Sequence, residues 1–266
     1  MKKKKIIEIS VLISNFNNKK FVIDAIKSIK KQKFKNLEII VIDDQSKDDS
    51  FKILKRIKGF KLIKTKIKTK YSSYNQMNAY LTGFKKSRGK IICFLDSDDF
   101  FQNNKIKFIY NFFLRNKKKQ ILFDKPIIFF NKYKNYKMKI SKRSKYLIPW
   151  SQFPPQSCIS IKRDYLKKIF KKVMFFKFPN TWFDFRILCQ STIDFGKIDI
   201  IDKYLTFYRQ NPNSQIIDYK KKFSKNWWKK REEAHLFQNY LYKKNKNSLN
   251  YSLDRLFTKI INIFID

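Results

Sequence analysis

Glycine, cysteine, histidine and acid are all scarce in this chain of 266 residues, which has 4 Gly, 3 Cys, 1 His and 21 Asp+Glu. Each scarcity excludes something. There is no GxxxxGK[ST] loop and no GxGxxG turn, so an ordinary ATPase or dinucleotide phosphate cradle is ruled out. Cys93, Cys158 and Cys189 are far apart, odd in number and outside any CxxC or Cys/His cluster, which supports neither a disulfide framework nor a zinc site. With His235 as the sole histidine, mechanisms built on several imidazoles are excluded, and its lysine-rich surroundings predict a solvated helix position. Any general base is therefore expected to be a carboxylate. No run reaches the roughly 18 apolar residues of a membrane span. The basic start Met1–Lys5 runs on to Glu8 and Asn15 without the apolar core of a signal peptide. The expectation is a cytoplasmic protein, with peripheral attachment to the inner face of a membrane left open.

Basic and aromatic residues are abundant instead. Against the 21 acids stand 62 Lys+Arg, a net charge of +41, while 43% of residues are hydrophobic and 28 are Phe, so the chain can bury a core and is not disordered. Such a charge points to an anionic partner: nucleic acid, an anionic membrane surface or a phosphorylated substrate. The lysines are spread from Lys2 to Lys259 among many Ile, Asn and Phe, as an AT-rich coding bias also produces. A nucleic-acid-binding protein is the reading from another class, but no zinc finger or RNP motif is present and the basic residues form no stripe, so no nucleic acid is expected. Trp227-Trp228 beside Lys229-Lys230-Arg231 has the make-up of an interfacial helix on anionic lipid, and equally that of a domain-packing helix with a solvated lysine face.

Periodicity organises the chain as α/β. Ile6–Ser14, Leu37–Ile42, Phe60–Ile63 and Lys90–Leu95 read as buried strands, and Phe21–Ile29, Asp48–Ile57 and Asn75–Ser87 as the helices between them, with Asp48 or Asp49 as an N-cap. Alternation of this kind predicts a parallel, doubly wound sheet that binds its ligand beyond the carboxyl ends of the strands. Past a helix at Asn103–Arg115 the pattern changes. Strands are expected at Ile121–Phe130, Tyr133–Ile140, Cys158–Ile161 and Ile198–Tyr208, helices at Asp164–Phe170 and Trp182–Cys189, and mostly helix from Ser224 to Ile265. The resulting division is a nucleotide-sugar-type half over 1–100, an acceptor-type half over 101–215 and a helical extension over 216–266. The loop from Pro149 to Pro155 carries Trp150 and Phe153, which suit either a platform for a sugar face or core packing.

Two acidic clusters end predicted strands, Asp43-Asp44 and Asp96-Ser97-Asp98-Asp99. Three carboxylates so close together repel unless a cation is present, and Mg2+ or Mn2+ typically takes one or two carboxylates with phosphate oxygens and water completing its shell. The plainer alternative is a solvated turn whose aspartate opens the next helix.

The run ISVLISNFNNKKFVIDAIKSIKKQKFKNLEIIVIDDQSKDDS, then GKIICFLDSDDF, PPQSCISIKRDYLKKI, NTWFDFRILCQ and FGKIDIIDKYLTFYRQNPNS, resembles in content and order the inverting, metal-dependent family 2 glycosyltransferases. The resemblance implies the glycosyltransferase A (GT-A) fold: a Rossmann-like nucleotide-binding half on a mixed central sheet, followed here by the helical extension. By position it assigns Ser14 and Phe16 to the base and ribose of the donor, Asp44 to the uracil ring, and Asp96 and Asp98 to the Asp-x-Asp element. Asp98, with Asp99 through water, would hold Mn2+ or Mg2+ on the donor diphosphate. Asp184 takes the position of the catalytic base, and Arg209 that of a group closing over the donor phosphates. The implied partners are a nucleotide-diphosphate sugar and a glycan or lipid-linked acceptor, as in surface polysaccharide synthesis. A non-catalytic nucleotide-sugar binder is the third reading. Taken on its own, Asp184 also suits a helix cap or an ion pair with Arg186. Three departures stand out: Leu81-Thr82-Gly83 where an Asn-x-Gly step is usual, Phe183 in place of the Glu of a Glu-Asp pair, and Phe16 in place of Tyr.

Overall fold

The β-branched runs at the head of the chain become strands buried on both faces. The computed structural model describes residues 6–141, 152–210, 224–244 and 252–265. Strands β1 (Ile9–Asn15), β2 (Leu37–Asp43), β3 (Lys61–Lys64) and β4 (Ile91–Asp96) alternate with helices α1 (Val22–Lys30), α2 (Ser50–Lys55) and α3 (Ser72–Lys86). Then come β5 (Phe100–Phe101), α4 (Lys105–Arg115), β6 (Ile121–Phe129), β7 (Asn135–Lys137), a 3-10 turn at Gln156–Cys158, β8 (Ile159–Lys162), α5 (Arg163–Val173), α6 (Phe183–Phe195) and β9 (Ile200–Arg209). Helices α7 (Lys225–Lys244) and α8 (Leu253–Ile265) follow.

A single sheet runs β3-β2-β1-β4-β8-β6-β9-β5, with β7 paired to β6. Strands β3, β2, β1 and β4 are parallel, β8 is antiparallel to both β4 and β6, and β9 is parallel to β6. The sheet is thus mixed and continuous across the two expected halves, while the expected boundary at 215/216 lies outside the described residues. One apolar layer packs α1, α2 and α4 on one face, and the other packs α3, α5, α6 and α7 on the opposite face.

Close packing explains two of the few glycines. A Cβ on Gly83 of α3 would lie 2.5 Å from the Ile42 side chain of β2, and one on Gly89 would lie 2.4 Å from the Ser10 amide. Between the halves, the Lys105 ammonium is fully buried against Asp124 at 2.6 Å and also donates to the Ser157 carbonyl and Thr206. Burial raises the Asp124 carboxyl even beside that cation, as expected for an ion pair taken out of water.

Some expectations need correction. Strand pairing in the Tyr133–Ile140 region is confined to Asn135–Lys137, whose side chains are all exposed. Asp49 sits at the N-cap of α2 without a side-chain capping bond, and Asp48 accepts from the Ser50 amide at 3.0 Å instead. His235 is not solvated: it is 1% exposed and lies 2.7 Å from Asp254, because α8 covers that side of α7. Burial lowers its pKa. Trp150 lies outside the described residues; Phe153 is half-buried against the larger core.

Candidate active site

Strand register decides where the acids go. Ser14 of β1 is paired with Ile42 on one side and Asp96 on the other, and Asn15 with Asp43, so both acidic clusters and Ser14 share the carboxyl edge of the sheet. On the β2 side, the Asp44 carboxylate is buried and accepts from Thr65 at 2.9 Å and from the Lys68 ammonium at 2.5 Å. Burial still raises its pKa. The same ammonium lies 3.5 Å from the centre of the Phe16 ring, so Phe16, Lys68 and Asp44 form one stacked, charged cluster.

The turn after β4 is held from several directions. Asp96 accepts from Gln76 at 2.8 Å and from the Tyr80 hydroxyl at 2.6 Å. Asp99 is buried and accepts from Ser157 at 2.5 Å and from the Arg209 amide at 2.9 Å. Ser157 in turn accepts from the Asp96 amide at 3.0 Å. The Arg209 guanidinium donates to the Asp98 carbonyl at 2.7 Å, pairs with Asp24 at 3.2 Å and lies over the rings of Phe21, Phe100 and Phe129. Burial and then repulsion from Asp98 push Asp96 up to about 7 and raise Asp99 as well.

Asp184 lies in the first turn of α6, half-buried, and accepts from the Phe185 amide at 2.7 Å. The start of α6 packs against β4 through Phe183, whose ring lies 5.7 Å from that of Phe94, and the Asp184 charge adds to the rise of Asp96. Burial pushes its carboxyl up to about 6, opposed by the Phe185 amide and by the Lys230 ammonium of α7. Lys230 is buried 3.5 Å above the Trp182 ring, and desolvation brings its pKa down to about 7. Arg186 is not the ion-pair partner of Asp184: fully buried, it donates to the carbonyls of Thr181, Val173, Phe175 and Phe178. Glu233, also on α7, accepts from the amides of Asn180 and Thr181 at 2.7 Å each and from both of their side chains.

The family model described as glycosyl transferase family 2 matches residues 10–186. The chain belongs to that family. It is 28% identical over 218 residues to an uncharacterized glycosyltransferase of Nostoc sp., covering 76% of this chain and 64% of that one. It is 36% identical over 98 residues to the Escherichia coli UDP-Glc:alpha-D-GlcNAc-diphosphoundecaprenol beta-1,3-glucosyltransferase WfaP, covering 37% of this chain and 38% of that one. The matched stretches thus span less than two thirds of these relatives. Among solved structures, S. aureus TarS in complex with UDP superposes with a TM-score of 0.60 at 14% identity, covering 97% of this chain and 70% of that one. A likeness at that identity speaks to the fold alone, and the fold is GT-A.

Within this family frame, the three departures in sequence acquire structural reasons. Phe183 is fully buried, stacked on Phe170 at 5.1 Å and edge-on to Phe94 at 5.7 Å, so it serves the core. Leu81, where Asn is usual, packs partly buried against the larger core, and the Gly83 that is kept lets α3 approach Ile42. Phe16 meets a cation where a Tyr hydroxyl would add a polar atom. Residues invisible to motif reading also enter the site: Lys68, Gln76, Tyr80, Ser157, Lys230 and Glu233. Gln76 and Tyr80 carry a usable signal, because i and i+4 of one helix reach the same carboxylate. Lys230 and Glu233 carry none, since nothing in their spacing says which helix they reach. A hollow of about 450 Å³ lies at the opposite end of β4, among Glu8, Lys90 and Lys162, remote from this chemistry.

The acidic turn partly suits a divalent cation. Its donors are all oxygen, and beyond the effect of burial Asp98 repels both Asp96 and Asp99, a charge that a cation would neutralise. Both Asp99 oxygens, however, already accept protein hydrogen bonds, and among the described residues no group of three or more side chains is assembled as a ligand shell. The chain's contribution to such a shell would be small, with Asp98 as its centre.

Proposed function

We propose that this protein transfers a sugar, with inversion, from a UDP-sugar to a hydroxyl of a lipid-linked glycan acceptor in surface polysaccharide synthesis. The observation that carries the reading is Asp184: a half-buried carboxylate held near pH 6, opposite the acidic edge of the sheet and in the field of Lys230. A base of that strength is ionised at neutral pH yet basic enough to take a proton from an attacking hydroxyl. The named activities of two relatives support the acceptor class. WfaP acts on a diphosphoundecaprenol-linked sugar, and a Campylobacter jejuni relative, 37% identical over 93 residues, is a glucosyltransferase acting on a glycan-diphosphate-undecaprenol. Solved TarS complexes with UDP and with UDP-GlcNAc, at the fold level, support the donor class.

Phe16 would stack against the uracil and Asp44 would accept its N–H, with Lys68 moving off the ring to admit the base. Ser14 lines the ribose side, and Arg209 holds the acidic turn closed beneath the diphosphate through the Asp98 carbonyl and Asp99. A bound Mn2+ or Mg2+ on Asp98, backed by Asp99, would supply positive charge to the departing UDP. Asp184 takes the acceptor proton as the hydroxyl attacks the anomeric carbon from the opposite face.

The test incubates the protein with a panel of UDP-sugars, Mn2+ and a GlcNAc-diphospholipid acceptor. Expected is product from one donor, with Asp184→Asn lowering the rate by about 100- to 10,000-fold while UDP still binds. Product formation unaffected by Asp184→Asn would remove the assignment of the base.

A further inference from the structure

Helix α8 is amphipathic in the inverted sense. Its packed side is polar: Thr258 is 1% exposed and Asn262 3%, and Asn262 donates to the Trp228 carbonyl of α7 at 3.2 Å. Asp254, its only acid, is turned inward to Arg231 and His235 of α7. Its outer side is apolar. Leu253, Leu256, Phe257, Ile260, Ile263 and Phe264 are all exposed, Phe264 at 84% and Ile263 at 68%. At 3.6 residues per turn these six fall in one stripe roughly 120° wide, opposite the packed polar side. A soluble helix places the faces the other way round.

We propose that this stripe lies in the surface of an anionic membrane, with the helix axis in the plane of the interface. The charge distribution selects that occupant. Asp254 is turned inward, so the exposed charge flanking the stripe is the cation Lys259, and Lys229 of α7 is exposed as well. The whole chain carries +41, so an anionic bilayer attracts it while a second copy repels it. Apolar side chains at acyl depth with cations at headgroup depth are what an interfacial helix requires. The surface used is α8 and not the Trp227–Trp228 turn of α7, where both indoles are half-buried and Lys230 is covered by Trp182. The inference does not depend on the sugar-transfer reading.

The test is flotation of the full chain with vesicles of phosphatidylcholine alone and with 30% phosphatidylglycerol, comparing the native protein with Phe257→Asp/Phe264→Asp. Both positions are exposed, so an unchanged melting temperature and unchanged UDP binding are expected to show that the variant folds. Expected is binding to the anionic vesicles only, weakened by high salt, and at least 10-fold weaker in the variant. Three results would overturn it. One is no binding by the native protein; another is equal binding by both proteins, which would assign attachment to scattered lysines. The third is a native dimer by light scattering that the variant abolishes without change in vesicle binding, which would make the stripe a self-association face. UDP binding reads the nucleotide site separately, so failure of one inference leaves the other standing.

Discussion

At the scale of single residues, the decisive pair is Asp184 and Lys230. Below about pH 6 Asp184 carries a proton and cannot accept one, so the rate of sugar transfer should fall about tenfold per pH unit on the acid side of that value. Lys230, held at about 7, is still charged there and favours the ionised carboxylate. Lys230→Met removes that field and should move the acid limb upward by about one pH unit, measured as the pH profile of kcat/KM. A limb that stays in place would mean that Lys230 acts only through its packing on Trp182. The aspartate was legible in sequence from its place in TWFDF; its lysine neighbour was not, because 46 positions separate them in a chain with lysines throughout.

At the scale of elements, α7 is what holds the start of α6. Glu233 satisfies two backbone amides and two side chains of Asn180 and Thr181, immediately ahead of Asp184. Glu233→Ala leaves those donors without their acceptor and should cost about 1–3 kcal/mol, read as a lower urea midpoint at unchanged slope. Transfer should suffer more than UDP binding, because the disturbed loop leads directly into the turn of α6 that carries the base and lies away from the nucleotide residues in sequence. Periodicity located the helices from Val22 to Val173 within a few residues, since each buries one apolar face. It misjudged Tyr133–Ile140, where β7 sits at the sheet margin, pairs only with β6 and has little to bury. It also misplaced His235, because a lysine-rich neighbourhood in sequence occupies several faces of a helix while a single face meets α8.

At the scale of the whole molecule, charge and site are opposed: a chain of +41 keeps three of its few carboxylates together at one strand end. A nucleotide that binds only the folded state stabilises it by about 2.7 kcal/mol at a hundredfold excess over Kd. UDP should therefore raise the melting temperature, and further with Mn2+ present. Asp98→Ala should abolish the Mn2+ increment and keep most of the effect of UDP alone, as measured by thermal shift. An undiminished Mn2+ increment would move the cation away from Asp98. Among the described residues no helix is long and apolar enough to cross a membrane. Contact with a lipid-linked acceptor would then require the protein to come to the bilayer, and the outer face of α8 offers the means.

The amino-acid sequence by itself determined the α/β alternation, the family and the two acidic strand ends. These are local: a strand buried on both faces needs an apolar run, and the polar residues that end it declare themselves. Only the tertiary structure decided what surrounds those acids. Strand register set Asp43 and Asp96 on either side of β1, Ser157 and Arg209 closed the turn from 58 and 110 residues away, and α7 brought Lys230 and Glu233 to α6. Such partners are chosen by how layers pack across the sheet, and packing at that range leaves no spacing in the chain to read.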